Sequence, residues 1–599
     1  MEQYAKVEIL YNRVRQEGNF AGKNQAIIKG EQAIRNEENV RRPQLSSDQR
    51  QYNLSLLENA NIDVLVIGGG VTGAGVALDA VARGYRVALV EKADFASGTS
   101  SKSTKLIHGG IRYLPNFDFA LVHEALIERG LLLGNAPFLI HPLAFVLPIY
   151  NGERHPVGLP FTLPRGFGLS KLLDCGLWLY DVMAGRNNID HHRRLKREEV
   201  LQRAPTLLPN GLKEGFLYYD AQTNDARLTI SLLHTAANYG AMIANYAEVT
   251  SFLTKQGRIN GVRIYDLIGK QEFSIHARHI VNATGIFSEQ VEALAGREPQ
   301  VQIEPSKGIH LVFAREDLPI GDSAVVLPET DDKRILFIVP WQSRVIFGTT
   351  DTGTGDLDHP VATNDDIAYL LNHLNRYLTT QLTQEHIVSI YAGYRPLLKA
   401  RSTRHSNMQL SRTHAVLESP TKLVSIVGGK LTTYRRMAQD TVDILSKRDG
   451  SKLVHPTRNL PLHGSVGWYT AKQALEHDAE ALGLAPDIIA QLGQSYGTEM
   501  RNVLDLVASN TSLAERLIND LPYIKAQIVH ACRYEMALTP HDVLARRTAI
   551  TLEDRRRGLD IVDEVTALMA KELGWTQQEQ QLQAETYRTV IKRSMAWER

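Results

Sequence analysis

Cysteine is nearly absent from this chain: Cys175 and Cys532 are the only two in 599 residues, they stand far apart, and no CxxC pair occurs. That excludes a disulfide framework and a cysteine-ligated metal site, so no metal is expected; it fits a reducing compartment, with each thiol read as a small buried hydrophobe. An excess of charge of one sign is lacking too. The 67 Lys and Arg residues balance 66 Asp and Glu, a net charge of +1, so no overall field draws a polyanion and no nucleic-acid partner is expected. Long hydrophobic runs are missing. The most apolar stretch, Leu131 to Tyr150, is broken by Asn135, Pro137, His141, Pro142 and Pro148 and should not span a bilayer. The opening MEQYAKVEILYNRVRQEG has no basic leader followed by an apolar core, so no secretory signal is read there.

What is present describes a large globular protein. Hydrophobic residues make up 43% and charged residues 22%, and the length exceeds what one core sustains, so two or three structural units are expected. Residues 1–60 read as an N-terminal extension, with Tyr4, Val7, Leu10, Tyr11 and Val14 on one face of a short amphipathic helix. At Asp63 the character changes. DVLVI is a run of β-formers leading into GGGVTGAG and an Ala-rich helix to Arg83; Gly84 ends that helix, and YRVALVEK is a second buried strand. Residues 63–92 thus form a strand, helix and parallel strand. Two later strand-like runs, ARHIVNATG at 277–285 and KLVSIVGGKLTTY at 422–434, also end in glycine.

The predicted fold is therefore α/β. A Rossmann-like nucleotide domain is discontinuous over segments 61–115, 220–300 and 420–450; a mixed α+β substrate domain is built from 116–219 and 301–419; and a helical C-terminal domain covers 451–599.

Gly68, Gly70 and Gly73 form a GxGxxG directly after the first strand, where a tight turn, close pyrophosphate approach and close helix packing are needed. The helix then starts at the phosphate, whose charge its free N–H groups and dipole can hold. Glu91 ends the second strand, placed to accept hydrogen bonds from ribose hydroxyls. The fingerprint alone does not separate FAD from NAD. The turns at 283–285 and 428–429 imply a cofactor long enough to touch three segments, which suits FAD.

After the second strand comes SGTSSKSTKLIHGGIRYL at 97–114, rich in hydroxyls and glycine, with Lys105, His108 and Arg112 embedded in it. Here the sequence resembles the FAD-dependent glycerol-3-phosphate dehydrogenases. The resemblance continues through YYDAQTNDARL at 218–228, PSKGIHLV at 305–312, FIVPWQSRVIFGTTDT at 337–352, YAGYRPL at 391–397 and VGGKLTTYRRMA at 427–438. It is greatest toward the mitochondrial type, yet no DxDxDG calcium loop follows.

The resemblance implies oxidation of sn-glycerol 3-phosphate to dihydroxyacetone phosphate, with electrons passed to quinone. It also implies site roles. Arg112, Arg395 and Lys430 are expected to bind the substrate phosphate, with Arg395 also at the catalytic centre beside His310 and His108, the two candidate bases for the C2 hydroxyl. Ser100, Ser101, His108, Gly110, Ala283, Gly285, Gly429 and Thr432 join Gly68, Gly70, Gly73 and Glu91 as expected cofactor-binding residues, and Tyr113 and Thr349 are expected to line the pocket. Asp225 and Arg227 are read as an ion pair bracing the flavin domain.

A quinone acceptor requires contact with the bilayer surface, so the expected location is cytoplasmic, peripheral on the inner face of the membrane; self-association as a homodimer is left open. Segment 165–186 is the candidate contact. Its Leu169, Leu172, Leu173, Leu177 and Tyr180 share a helical stripe, followed by the basic run HHRRLKREE, although packing against the protein's own core is the favoured reading of that stripe, since most amphipathic helices face their own protein. Three other functions compete: an oxidase sending electrons to oxygen, a flavin amine or amino-acid oxidase of the same fold, and a non-enzymatic FAD scaffold.

Overall fold

A strand buried on both faces needs continuous aliphatic sequence, and Ile62–Ile67 is such a strand in a computed structural model that describes residues 44–152, 168–296, 302–328, 330, 332, 334–399 and 414–598. It sits inside an eight-stranded sheet. Val87–Val90 pairs parallel on one side, Gln271–Asn282 on the other, and Val424–Gly428 lies parallel beyond that. Helix Val71–Ala82 crosses between the first two strands. The three glycine-ended runs are therefore neighbours in space, with their carboxyl ends at one edge of the sheet. Alternation along Ile62–Ile67 serves two layers: Val64 and Val66 pack with the helices, while Leu65 and Ile67 pack with Leu54 and Leu57 of helix Ser47–Leu57. The amphipathic face expected at Tyr4 to Val14 lies outside the described residues.

A second, nine-stranded sheet holds the long strands His141–Tyr150, Leu212–Gln222, Gln302–Ala314 and Ile387–Lys399. Helices from Trp468–Ala481 to Gln577–Ser594 make up the C-terminal domain. It is keyed to the nucleotide domain by charge. Asp94, just past the second strand, accepts hydrogen bonds from Arg546 Nε at 2.5 Å and from Arg547 Nη1 and Nη2 at 2.6 and 2.9 Å, with all three side chains buried. Burying a lone carboxylate is costly, and two guanidiniums offset that cost. They hold the Asp94 carboxyl far below the usual carboxylate range despite its burial.

Two expectations are corrected here, and the favoured core-packing reading of the 165–186 stripe holds. Asp225 and Arg227 do not pair with each other: Asp225 binds Lys105 Nζ at 2.6 Å and Arg227 binds Glu535 at 2.7 Å. Two residues apart on helix Asp225–Asn238 they face different neighbours, so Arg227 braces the C-terminal domain instead. Cys175 is exposed, whereas Cys532 is buried and burial pushes its thiol up. The stripe of helix Leu169–Ala184 turns inward: Leu169, Leu177 and Tyr180 are buried in the core, with Leu172 and Leu173 packed against it. The opposite side of that helix carries Cys175, Trp178 and Val182.

Candidate active site

The first turn is a cradle that side chains would fill. Gly68 has φ +111°, and a Cβ there would stand 2.7 Å from the Ala283 carbonyl oxygen; one on Gly73 would stand 1.9 Å from the Gly68 oxygen. First strand, helix start and the Ala283 turn are thus in direct backbone contact. Gly70 caps the helix with no side-chain cap bond, and the Val71 N–H donates to Ser100 Oγ at 2.9 Å. Glu91 accepts hydrogen bonds from the Gly69 N–H at 2.6 Å and the Ala93 N–H at 2.9 Å. Burial pushes its carboxyl above the usual range, against those bonds. A dinucleotide fits here: helix-start N–H groups for a pyrophosphate, and an acid at a strand end for a ribose.

The second sheet contributes one strand face. Ser306 lies opposite Arg395, Gly308 opposite Gly393 and His310 opposite Tyr391, so alternate residues of two antiparallel strands point the same way. Gly308 makes room for the guanidinium, since a Cβ would stand 2.5 Å from Arg395 Nη2 and 2.6 Å from Thr349 Oγ1. Arg395 Nη2 donates to Thr349 Oγ1 at 2.9 Å and to the Thr350 carbonyl at 3.0 Å, with the Asp351 carboxylate 3.6 Å from Nη1. His310 stacks on the Tyr391 ring at 4.7 Å and 10°, its Nε2 2.9 Å from Thr104 Oγ1. Burial, then the cations of Arg395 and Lys105, hold the imidazole well below its ordinary value. Both causes favour its neutral form.

The third segment supplies a second cluster. Gly428 and Gly429 turn the chain at φ +77° and +82°, and Lys430 Nζ lies 4.1 Å from the Tyr113 ring centroid. A Cβ on Gly110 would stand 2.6 Å from that ring and 3.6 Å from Lys430 Nζ. Thr432 Oγ1 accepts from the His108 N–H at 3.1 Å. Thr104 and His108 flank the short strand Leu106–Ile107, so the chain links the two clusters within four positions. A small recess opens beside His108, Gly110, Phe145, Tyr218 and Phe337.

The structure thus groups His310 with Arg395 and Thr349, and Lys430 with Tyr113, Gly110, His108 and Thr432. Ser101 offers its carbonyl to Lys105 Nζ at 2.7 Å, and Gly285, at φ +59°, follows the Ala283 turn. Arg112 falls in the turn Ile111–Asn116, and its side chain lies outside the described residues. Sequence reasoning missed Thr104 and Tyr391. Neither has a spacing signal, since strand pairing brings Tyr391 to His310 and a loop contact brings Thr104 there.

Dinucleotides bind at the carboxyl edge of a doubly wound sheet, and here a second sheet carries an imidazole and a guanidinium on one strand face, with the imidazole meeting the loop at Thr104. That combination defines a flavin-dependent oxidoreductase. Residues 63–434 match the family described as FAD dependent oxidoreductase, and residues 455–580 match the C-terminal domain of alpha-glycerophosphate oxidase. The chain is 38% identical over 535 residues to glycerol-3-phosphate dehydrogenase 2 of Mycobacterium tuberculosis, covering 89% of this chain and 88% of that one. It is 35% identical over 570 residues to the mitochondrial glycerol-3-phosphate dehydrogenase of Homo sapiens, covering 91% and 75%. The solved glycerol-3-phosphate dehydrogenase from Bacillus halodurans, complexed with FAD, matches with a TM-score of 0.75 at 29% identity over 92% of this chain and 99% of that one. The chain belongs to the FAD-dependent glycerol-3-phosphate dehydrogenase family. Its cofactor is FAD.

Proposed function

We propose that this enzyme oxidises sn-glycerol 3-phosphate to dihydroxyacetone phosphate. The observation that carries the reading is the placement of a neutral His310 and the Arg395 guanidinium on one strand face: one accepts the proton of a secondary alcohol, the other holds an anion. When bound, FAD supplies the two-electron acceptor, taking hydride from C2 at its N5 and delivering electrons to a quinone. Gly68, Gly70, Gly73 and Glu91 would hold its nucleotide end, and Ser100, Ser101, His108, Gly110, Ala283, Gly285, Gly429 and Thr432 would hold the rest. Arg395 presents a planar fork to the phosphate, already oriented by Thr349 and Thr350. Lys430 adds a point charge, and Arg112 is assigned to the same phosphate on the family motif. The Tyr391 ring covers one face of His310 and excludes water from it. Anaerobic mixing of the yellow protein with sn-glycerol 3-phosphate should bleach the flavin, while glycerol and amino acids leave it coloured. No response to the phosphorylated alcohol overturns the reading. Reoxidation by a soluble quinone without peroxide release separates a dehydrogenase from an oxidase.

A quinone acceptor places the enzyme at a bilayer surface, although none of the described helices is long and apolar enough to cross one. We infer that the contact is the outward side of helix Leu169–Ala184 with the neighbouring turn. Trp178 is 59% exposed, Val182 54%, and Phe117 76%, with the Phe119 ring 6.1 Å from that of Phe117. The basic run contributes less than its charge suggests, because Arg193 binds Glu199 at 2.7 Å and Arg194 binds Glu214. Replacing Trp178 and Val182 together with serine is expected to lower co-flotation with anionic vesicles several-fold, more than replacing Arg193 and Arg194 with serine. Unchanged flotation of the first variant would rule this face out.

A further inference from the structure

The hydroxyl-rich loop before Lys105 is tied down residue by residue. Asp225, fully buried, accepts from the Ser103 N–H at 3.0 Å and Ser103 Oγ at 2.7 Å on one oxygen, and from Lys105 Nζ at 2.6 Å on the other. Lys105 also donates to the Ser101 carbonyl at 2.7 Å, and its backbone is held at φ +63°, a left-handed conformation that a lysine adopts only when its surroundings enforce it. Tyr391, stacked on His310, donates its hydroxyl to the Ser103 carbonyl at 2.9 Å. Thr104 stands between these two anchored residues, its Oγ1 2.9 Å from His310 Nε2. His310 Nδ1 is buried with no hydrogen-bond partner among the described residues.

A neutral imidazole carries one proton, and the bond made by one nitrogen decides the role of the other. If Thr104 accepts a hydrogen bond from Nε2–H, Nδ1 keeps a bare lone pair. In the opposite tautomer Nδ1–H would be a buried donor with no acceptor among the described residues, unable to take a proton from anything. Orphaned buried N–H groups are rarer than under-satisfied acceptors, so the first arrangement is favoured. We propose that Thr104, fixed by the Asp225–Lys105 ion pair, is the positioning residue that holds the His310 proton on Nε2 and leaves Nδ1 as the proton-accepting nitrogen. This rests on the reading of His310 as the base. The substrate O–H bond breaks as an N–H bond forms at Nδ1, and the electron pair left on oxygen becomes the carbonyl bond as C2 gives up hydride to FAD, the two-electron oxidant.

Four holoenzyme variants test it: Thr104→Val, Thr104→Ser, His310→Gln and the double Thr104→Val/His310→Gln. Each is mixed anaerobically with sn-glycerol 3-phosphate, and the limiting bleaching rate and half-saturating concentration are read separately. Thr104→Val is expected to lower the limiting rate by about 10- to 100-fold and move half-saturation by less than about threefold, with Thr104→Ser within about threefold of the parent. The double variant should be no slower than His310→Gln, because a residue acting only through His310 has nothing left to position. A Thr104→Val rate equal to the parent's, no rescue by serine, or a further loss in the double variant overturns the positioning role while leaving His310 as base. A parental rate in His310→Gln overturns the base reading and this inference with it. Should Thr104→Val lose its flavin, Thr104→Ala is read in its place, and flavin loss there too would make Thr104 a cofactor-retention residue and overturn the proposal.

Discussion

Replacing His310 with glutamine is expected to lower the rate of substrate oxidation by about 100- to 10,000-fold, the range a positioned general base contributes, while half-saturation by substrate changes little. Glutamine keeps a hydrogen-bonding side chain but cannot take a proton. Because burial and two cations depress the His310 pKa below the free histidine value of 6.5, the base stays in its competent, unprotonated form as pH falls through that value. The acid limb of kcat/KM for the parent enzyme should therefore lie below pH 6.5 and vanish in the variant. Rapid-mixing measurements across pH read both. A variant within about fivefold of the parent would move the base elsewhere, with His108 the remaining candidate.

Replacing Arg395 with alanine should raise KM for sn-glycerol 3-phosphate by on the order of 100- to 10,000-fold, since two charge-assisted hydrogen bonds are worth about 1.5–3 kcal/mol each. Lysine should recover only part of this, because it lacks the fork that Thr349 and Thr350 orient. The same cation depresses the His310 pKa, so its removal should also shift the acid limb to higher pH. Phosphate binding partly neutralises that cation, which makes His310 a stronger base once substrate is seated. Steady-state kinetics with sn-glycerol 3-phosphate and with glycerol separate these effects: an unaltered preference for the phosphorylated alcohol would remove Arg395 from the phosphate site.

The nucleotide half of the molecule could be read from sequence because its signals are local. A glycine at a positive φ after an aliphatic strand announces Gly68, and the acid at the next strand end announces Glu91, wherever the rest of the chain lies. The long-range partners were not legible. Asp225 and Arg227 are close in sequence, yet each is claimed by a residue from another segment. Thr104 is one of six hydroxyl residues within SGTSSKST, and only its long-range contact with His310 singles it out. Helix Leu169–Ala184 has apolar residues on both sides, so periodicity found the stripe but could not say which side met the core.

The Asp94 contact with Arg546 joins residues 452 positions apart. Until the last part of the chain has emerged from the ribosome, that carboxylate has no guanidinium to meet, and the turn after the second strand lacks the clamp that fixes its path. Cofactor capture in final form is thereby placed late in biogenesis, after synthesis of the helical tail rather than during it.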